Sequence, residues 1–150
     1  MSAPVPEPPL DAPFRPRRGR AMALTMAGAA LVVFGVVALL VPHWGPGDRL
    51  MMFGFGAAMA AFLWRYAAIT ALARAEGLYV RNLFLTRTVP WDEILGVRFP
   101  EGDAWAHLDL AEGDTLAVMA IQRADAATGQ HEGHRLATLV ASRQSGSTNP

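Results

Sequence analysis

The feature that most constrains this chain is a run of 21 uncharged residues at positions 21–41. An α-helix rises about 1.5 Å per residue, so this run can span a hydrocarbon core of about 30 Å. A secretory signal peptide is the competing interpretation, because the run follows an arginine-rich segment. Signal-peptide cores are usually shorter, however, and Pro42-His43-Trp44-Gly45 offers no small-x-small cleavage pattern. The run therefore predicts an uncleaved transmembrane helix.

A turn and a second apolar segment follow this helix. Residues 42–48 contain two prolines and two glycines, a composition that ends a helix and reverses the chain. Residues 50–64 are again uncharged, and residues 65–73 continue a composition typical of a helix. We therefore predict a second span over residues 49–73. Four side chains near the ends of this span suit the membrane interface, namely Trp44, Trp64, Arg65 and Tyr66. Residues 21–73 are thus predicted to form a transmembrane hairpin.

The arginines around the two spans predict their orientation. Residues 15–20 contain four arginines, and Arg65 and Arg74 lie near the end of the second span, whereas the turn has only Arg49. Positively charged flanks stay on the cytoplasmic side, so we expect both termini in the cytoplasm and the chain in the plasma (inner) membrane. Residues 1–20 include six prolines and are predicted to be a disordered tail.

The overall composition excludes several classes of function. All 13 basic residues are arginine and are balanced by 13 acidic residues, so the chain has no global positive field for nucleic acid. Cysteine is absent, which excludes disulfides, a thiolate nucleophile and cysteine-ligated metal.

The pattern changes to that of a small β domain over residues 74–143. Apolar residues alternate with polar ones around a tight turn near Arg81-Asn82, and Pro90 ends the second strand. Two Glu-Gly-Asp turns, at 101–103 and 112–114, predict hairpins with left-handed glycines that connect strands 94–99, 105–110 and 115–121 in turn. Leu136, Leu139 and Val140 then predict a helix over residues 131–143, followed by a disordered tail at 144–150.

Residues suited to catalysis or metal binding are sparse. His131 and His134 share a helix face but have no third ligand at metalloprotease spacing, which favours surface histidines. The acidic residues considered for acid–base catalysis are Asp103, Asp109, Glu112 and Asp114. Most of these four fall in predicted turns. No phosphate-binding loop, dinucleotide fingerprint or nucleophile elbow is present. We therefore predict a protein that is not an enzyme, with no catalytic residues, cofactor or metal.

Three arginines are the candidate binding residues of this domain. Arg81, Arg87 and Arg98 fall on predicted outward strand positions, where they could bind lipid phosphate or an acidic partner. Ordinary solvated strand faces are the alternative. Trp91 and Trp105 are expected to pack in the core or at a sheet edge rather than to form a stacking platform.

A wider set of residues in the same domain resembles a known family. The residues are Gly77-Leu78, Val80-Arg81-Asn82, Arg87-Thr88-Val89-Pro90-Trp91, Ile94, Val97-Arg98-Phe99, Glu101-Gly102-Asp103, Trp105, Gly113-Asp114 and Val118-Met119-Ala120-Ile121-Gln122. The set resembles the short bacterial pleckstrin-homology-like (PH-like) domains behind transmembrane hairpins in actinobacterial membrane proteins, some of them known as low-molecular-weight protein antigens. The resemblance, over about residues 70–142, implies a bent antiparallel sheet closed by a C-terminal helix and no catalytic residues.

Two functions are compatible with this membrane α+β architecture. The first is a non-enzymatic binding or scaffolding module that contacts anionic lipid headgroups, another membrane protein or a second copy of itself. The second is an accessory subunit of a transporter or envelope-biogenesis complex, acting through its helices. For the second, the small residues at 54–61 could serve as a helix-packing face, although packing within the hairpin is the favoured explanation of these residues.

Overall fold

A computed structural model describes residues 8–125 and 127–147. These residues form two compact units, which we call the helical hairpin (Arg17–Ile69) and the β unit (the described residues of 8–16 and 70–147). The residues before and after the hairpin thus belong to the same unit. Predicted residues 1–7 and 148–150 of the two tails lie outside the described part of the chain.

The hairpin contains helices α1 (Arg17–Leu40) and α2 (Pro46–Ala67). Between them, His43 takes a left-handed conformation with φ of 72°. Gly45 N–H donates a hydrogen bond of 3.0 Å to Asp48 Oδ2, and Pro46 occupies the first turn of α2, where its missing N–H costs nothing. These contacts reverse the chain within five residues.

Small side chains mediate the packing of α1 on α2. The buried residues of α1 are Ala23, Ala27, Ala30 and Ala38, a spacing that places them on one helix face. On α2, a β-carbon added at Gly56 would lie 2.8 Å from Phe34 Cβ, so this glycine allows the two backbones to approach closely. Both helices are long and apolar enough to cross a membrane by length and composition.

The observed helix boundaries correct the predicted ones. The predicted span at 21–41 is helix 17–40, so residues 17–20 are helical instead of disordered. The predicted span at 49–73 was wrong at its end, because α2 stops at Ala67 and residues 70–73 form a β-strand. The β-branched residues Ile69 and Thr70 follow the end of α2, and such residues favour extended backbone.

The β unit contains two three-stranded antiparallel sheets. Sheet A has the order β1 (Thr70–Ala73), β2 (Gly77–Arg81), β3 (Thr86–Pro90), and sheet B has the order β4 (Ile94–Arg98), β5 (Trp105–Leu110), β6 (Thr115–Gln122). A short 3-10 turn, Trp91–Glu93, connects the two sheets. Sequential strands pair in each sheet, so every connection is short.

The predicted strands of sheet B are confirmed. Alternate residues of β5 are buried, with Ala106, Leu108 and Leu110 inside, because side chains alternate across a pleated strand. Gly102 and Gly113 have φ values of 97° and 85°, so both Glu-Gly-Asp turns contain the left-handed glycine that the sequence predicts.

Helix α3 (Ala127–Ser147) closes the β unit and is longer than the predicted 131–143. Its predicted apolar stripe is confirmed, since Leu136, Leu139 and Val140 are buried. Gly129 lets the first turns of α3 approach the end of β6, because a β-carbon there would collide with the carbonyl of Gln122. At the other end, Gln144 Nε2 donates a hydrogen bond to the Ile94 carbonyl, so residues 144–147 are helical and not a disordered tail.

The prediction of a disordered tail is also wrong for residues 8–16, which we call the strap. Phe14 of the strap is fully buried, and it exchanges two backbone hydrogen bonds of 2.9 and 3.0 Å with Ala71 at the edge of β1. Proline prevents a regular helix or ladder here, yet an extended segment can still bury one aromatic ring. The β unit is therefore residues 70–147 together with the strap, and not residues 74–143.

Candidate functional site

Two of the three predicted arginines flank the loop at residues 82–85, between β2 and β3. Arg81 is paired in register with Thr86, and Val80 is paired with Arg87. Neighbouring register pairs point to opposite faces of a pleated sheet, so the two arginines start on opposite faces and share only the loop end. Arg87 lies 3.5 Å from Glu93, whereas Arg81 has no acidic partner within salt-bridge distance among the described residues.

Asn82 fixes the base of this loop. Its side chain is only 7% exposed, and its Nδ2 donates a hydrogen bond of 2.6 Å to the Ala117 carbonyl. Its Oδ1 accepts one of 3.1 Å from Met119 N–H, and its own N–H donates one of 2.8 Å to the Leu85 carbonyl. A buried amide with these partners holds the β2–β3 loop against β6. The sequence predicts the turn but not this contact, because β6 is distant in the chain.

The third predicted arginine, Arg98, lies in the other sheet and is already paired. Its Nε and Nη2 each donate a hydrogen bond of 2.5 Å to the Asp109 carboxylate, a bidentate pair across β4 and β5. The hydrogen bond from Arg98 lowers the pKa of Asp109, and the same bond raises the pKa of Arg98. Arg98 therefore does not join Arg81 and Arg87, and its charge is compensated locally.

Other acidic residues that were considered for catalysis also have structural partners or turn positions. Asp103 Oδ2 lies 3.2 Å from His107 Nε2, and Glu112 and Asp114 lie in the β5–β6 turn. In helix α3, Glu132 contacts the buried Arg135, while His131 and His134 are exposed. Within residues 8–125 and 127–147, no group of three His, Cys, Asp or Glu side chains could hold a metal ion.

Arg135 is the residue that attaches the strap to α3. Its guanidinium is buried, stacks 4.1 Å from the centre of the Phe14 ring, and donates hydrogen bonds to the carbonyls of Pro9 (2.9 Å) and Ala12 (3.2 Å). Glu132 provides the compensating charge. The sequence signal for this arrangement is a lone phenylalanine in a proline-rich segment, and the partner lies more than 100 residues away.

An open cavity of about 950 Å³ lies between the strap, the 3-10 turn and the end of α3. Trp91 lines it together with three carboxylates, those of Asp11, Glu76 and Asp92. Trp91 Nε1 donates a hydrogen bond of 3.0 Å to the Arg74 carbonyl, and the Arg143 guanidinium lies 5.6 Å from the centre of its ring. Three carboxylates against one guanidinium would repel a phosphate group, so this cavity is unsuited to an anionic headgroup.

The predicted interface residues lie near the two ends of α2. Trp44 precedes the helix, whereas Trp64, Arg65 and Tyr66 form its last turn. Trp64 is 68% exposed. The 18 helical steps from Pro46, the first residue of α2, to Trp64 correspond to about 27 Å, close to the hydrocarbon thickness of about 30 Å. Their assignment as membrane anchors stays a prediction.

Comparison with known proteins identifies the domain. Residues 71–137 match the family model of a bacterial PH domain, from the second residue of β1 to the middle of α3. The resemblance predicted from the sequence is thereby confirmed, and two small antiparallel sheets with a C-terminal helix fit it. No solved structure matches the chain significantly.

The chain is also similar to mycobacterial proteins. One uncharacterized protein of Mycobacterium bovis and two of Mycobacterium tuberculosis are each 40% identical to it over 78 residues. The aligned part covers 52% of this chain and 51% of each relative, so the chain spans about half the length of the relatives it matches. The names of these relatives state no function.

Proposed function

We propose that this chain, with a bacterial PH domain at residues 71–137, is a membrane-anchored, non-enzymatic binding or scaffolding protein. The observation that carries the proposal is the surface of the hairpin. Within the most apolar 18-residue windows of α1 and α2, only 22% and 17% of the residues are buried. Large apolar side chains of both helices are exposed, among them Leu40 and Leu50 at 74% each, and such a surface supports placement in an apolar environment.

The proposed topology places both termini in the cytoplasm. The strap and residues 70–147 fold into one unit, which supports a topology in which both ends of the helical hairpin lie on the same side of the membrane. The flanks of the hairpin contain most of its nearby arginines, and the turn contains only Arg49, which favours the cytoplasmic side. The hairpin then holds the PH-like domain at the inner leaflet.

Anchoring explains how a small domain whose described cavity is unsuited to phosphate can still bind a ligand usefully. A tethered domain meets lipid headgroups or neighbouring membrane proteins at a high effective concentration, so a weak contact suffices. Binding rather than catalysis is supported by the domain family and by the acidic side chains, since Asp103, Asp109 and Glu132 are each engaged with a basic residue.

Membrane insertion can be tested with acidic substitutions at different depths of the hairpin. Val33, Phe55 and Leu50 are all exposed on the hairpin, but Leu50 lies next to the turn. A charge at the centre of a span costs about 2.5–3.5 kcal/mol, and less near an end. We expect the wild-type chain and Leu50→Asp to stay in the membrane fraction after an alkaline wash, and Val33→Asp with Phe55→Asp to be lost from it. Release of the wild-type chain by the same wash would contradict the proposal.

A second candidate function is an accessory subunit that binds a larger membrane protein through α2. Gly56 packs against Phe34 inside the helical hairpin, whereas a β-carbon added at Gly54 would have no neighbour within 4 Å. Ala57, Ala58 and Ala61 are also exposed. This face could admit another helix at close range. A crosslink from it to a larger protein, lost in Gly54→Leu, would favour this candidate, while an unchanged crosslinking pattern in that variant would exclude it.

A further inference from the structure

The loop between β2 and β3 presents large apolar side chains to the outside of the β unit. Phe84 is 85% exposed, the highest value of any large apolar side chain in the described chain, and the adjacent Leu85 is 50% exposed. We call residues 83–85 the apolar tip. The domain core is filled by other residues, so Phe84 contributes almost nothing to it. An exposed aromatic at the end of a hairpin indicates a contact surface.

This tip is held in place before any partner arrives. Asn82 donates hydrogen bonds to the carbonyls of Ala117 and Leu85 and accepts one from Met119 N–H, and these bonds close the loop at its base. Because the loop is already ordered, binding through Phe84 would cost little conformational entropy. A flexible loop would instead be expected to fold its apolar side chains back onto the domain.

The net charge of the β2–β3 hairpin differs from that of the β unit that contains it. Over residues 1–16 and 70–150 the sequence has eight arginines and twelve acidic residues, a net charge of −4. Residues 77–91 contain Arg81 and Arg87 and no acidic residue, a net charge of +2, and Arg87 also lies 3.5 Å from Glu93 of the 3-10 turn, at an exposed ion pair. The apolar tip is thus flanked by positive charge within an otherwise acidic unit. Apolar side chains between cationic ones match the interface of an anionic bilayer, where acyl chains lie beneath phosphates.

The strand register also places the tip at a specific end of sheet A. Thr70, the first residue of β1, is paired with Arg81, the last residue of β2. Residues 82–85 therefore lie at the end of sheet A where β1 begins, and β1 follows α2 in the sequence after Ala68 and Ile69.

We propose that the apolar tip inserts Phe84 and Leu85 into the interfacial region of the anionic inner leaflet, with Arg81 and Arg87 at the phosphates. This inference rests on the proposed membrane anchoring. It makes the β2–β3 hairpin, and not the acid-lined cavity or Arg98, the lipid-contacting part of the PH-like domain. The apolar tip then attaches the domain to the bilayer in addition to the helical hairpin.

Insertion of the tip can be measured with the full chain in lipid nanodiscs, because the chain has no native cysteine. A solvent-sensitive fluorophore is attached to Phe84→Cys or, as the matched control, to Leu95→Cys, which replaces an exposed leucine of sheet B. Shallow spin-labelled lipid is expected to quench the label at 84 at least about twofold more than the label at 95 in phosphatidylglycerol-containing discs. Arg81→Gln with Arg87→Gln should remove the dependence of this quenching on phosphatidylglycerol.

The possible outcomes distinguish insertion of the apolar tip from membrane anchoring by the helical hairpin. A chain that enters the discs but shows equal quenching at 84 and 95 overturns the tip insertion and leaves the membrane anchoring intact. A chain that does not enter the discs overturns both. A label at 84 that is shielded without lipid quenching, or crosslinks from 84 to a second copy or another protein, would show that the tip binds protein instead of lipid.

Discussion

At the scale of single residues, the side chains with the largest structural roles are those whose partners are distant in the sequence. Asn82 binds the backbone of β6, and Arg135 binds the carbonyls of the strap. Neither contact can be predicted from local pattern, because residue type and spacing define a turn or a helix face but not what packs on it. The arginine set shows the same limit, since register separates Arg98 from Arg81 and Arg87.

The Arg98–Asp109 pair predicts a pH dependence of stability. The pKa of Asp109 is lowered in the folded chain, first by the hydrogen bond from Arg98, so the pair stabilises the fold above the ordinary carboxyl pKa. That stabilisation is lost as the pH falls below about 4 and through the lowered pKa. We expect Asp109→Asn to melt at a lower temperature than the wild-type chain at pH 7, and the difference to vanish near pH 2.

Thermal unfolding of the full chain in detergent, followed by near-ultraviolet circular dichroism at both pH values, measures this effect. Glu112→Gln, in an exposed turn, is the matched neutralisation and should give the wild-type pH profile. A constant difference between Asp109→Asn and the wild-type chain across the pH range would contradict the assignment.

At the scale of elements, the alternation of apolar and polar residues predicts β5 and β6 almost to the residue, because one face of each strand is buried and the other is largely more exposed. The boundary between α2 and β1 could not be predicted in this way. Residues 66–73 are mostly apolar, and an apolar run without clear period fits a helix end and a buried strand equally well. What decides between them is the pairing of Thr70–Ala73 with β2, a tertiary contact.

The strap is an element that composition conceals. Phe14 is fully buried beneath Arg135, so Phe14→Ala should destabilise the β unit by about 3–5 kcal/mol, the usual cost of emptying a buried phenylalanine site. Leu10→Ala, at a strap position that is 42% exposed, should change stability by less than about 0.5 kcal/mol. Denaturant unfolding of the full chain in detergent compares the two variants. Equal stabilities would show that the strap is not part of the folded unit.

At the scale of the whole molecule, a net charge of zero conceals an uneven distribution. Residues 17–69 contain five arginines and one aspartate, a net charge of +4, and the rest of the sequence has −4. The basic hairpin flanks suit an anionic membrane, whereas the β unit as a whole would be repelled by one. Contact of the β unit with an anionic membrane is therefore expected to be local, as proposed for the apolar tip.

The fold class follows from two apolar runs and a period-two domain, and the family resemblance is confirmed over residues 71–137. The orientation of the helical hairpin rests on the arginine counts and on the β unit, which contains the segments before and after it. The functional proposals depend on this orientation. Because the chain lacks cysteine, single cysteines can report it directly. Three exposed positions suffice, Leu10 in the strap, Gly47 at the start of α2 and Glu112 in the β5–β6 turn.

Labelling of these cysteines in intact cells with a membrane-impermeant maleimide tests the central claim most directly. We predict that Gly47→Cys reacts in intact cells, whereas Leu10→Cys and Glu112→Cys react only after the membrane is permeabilised. Reaction of Glu112→Cys in intact cells, or reaction of Leu10→Cys and Glu112→Cys on different sides, would contradict a hairpin that presents its PH-like domain to the cytoplasm.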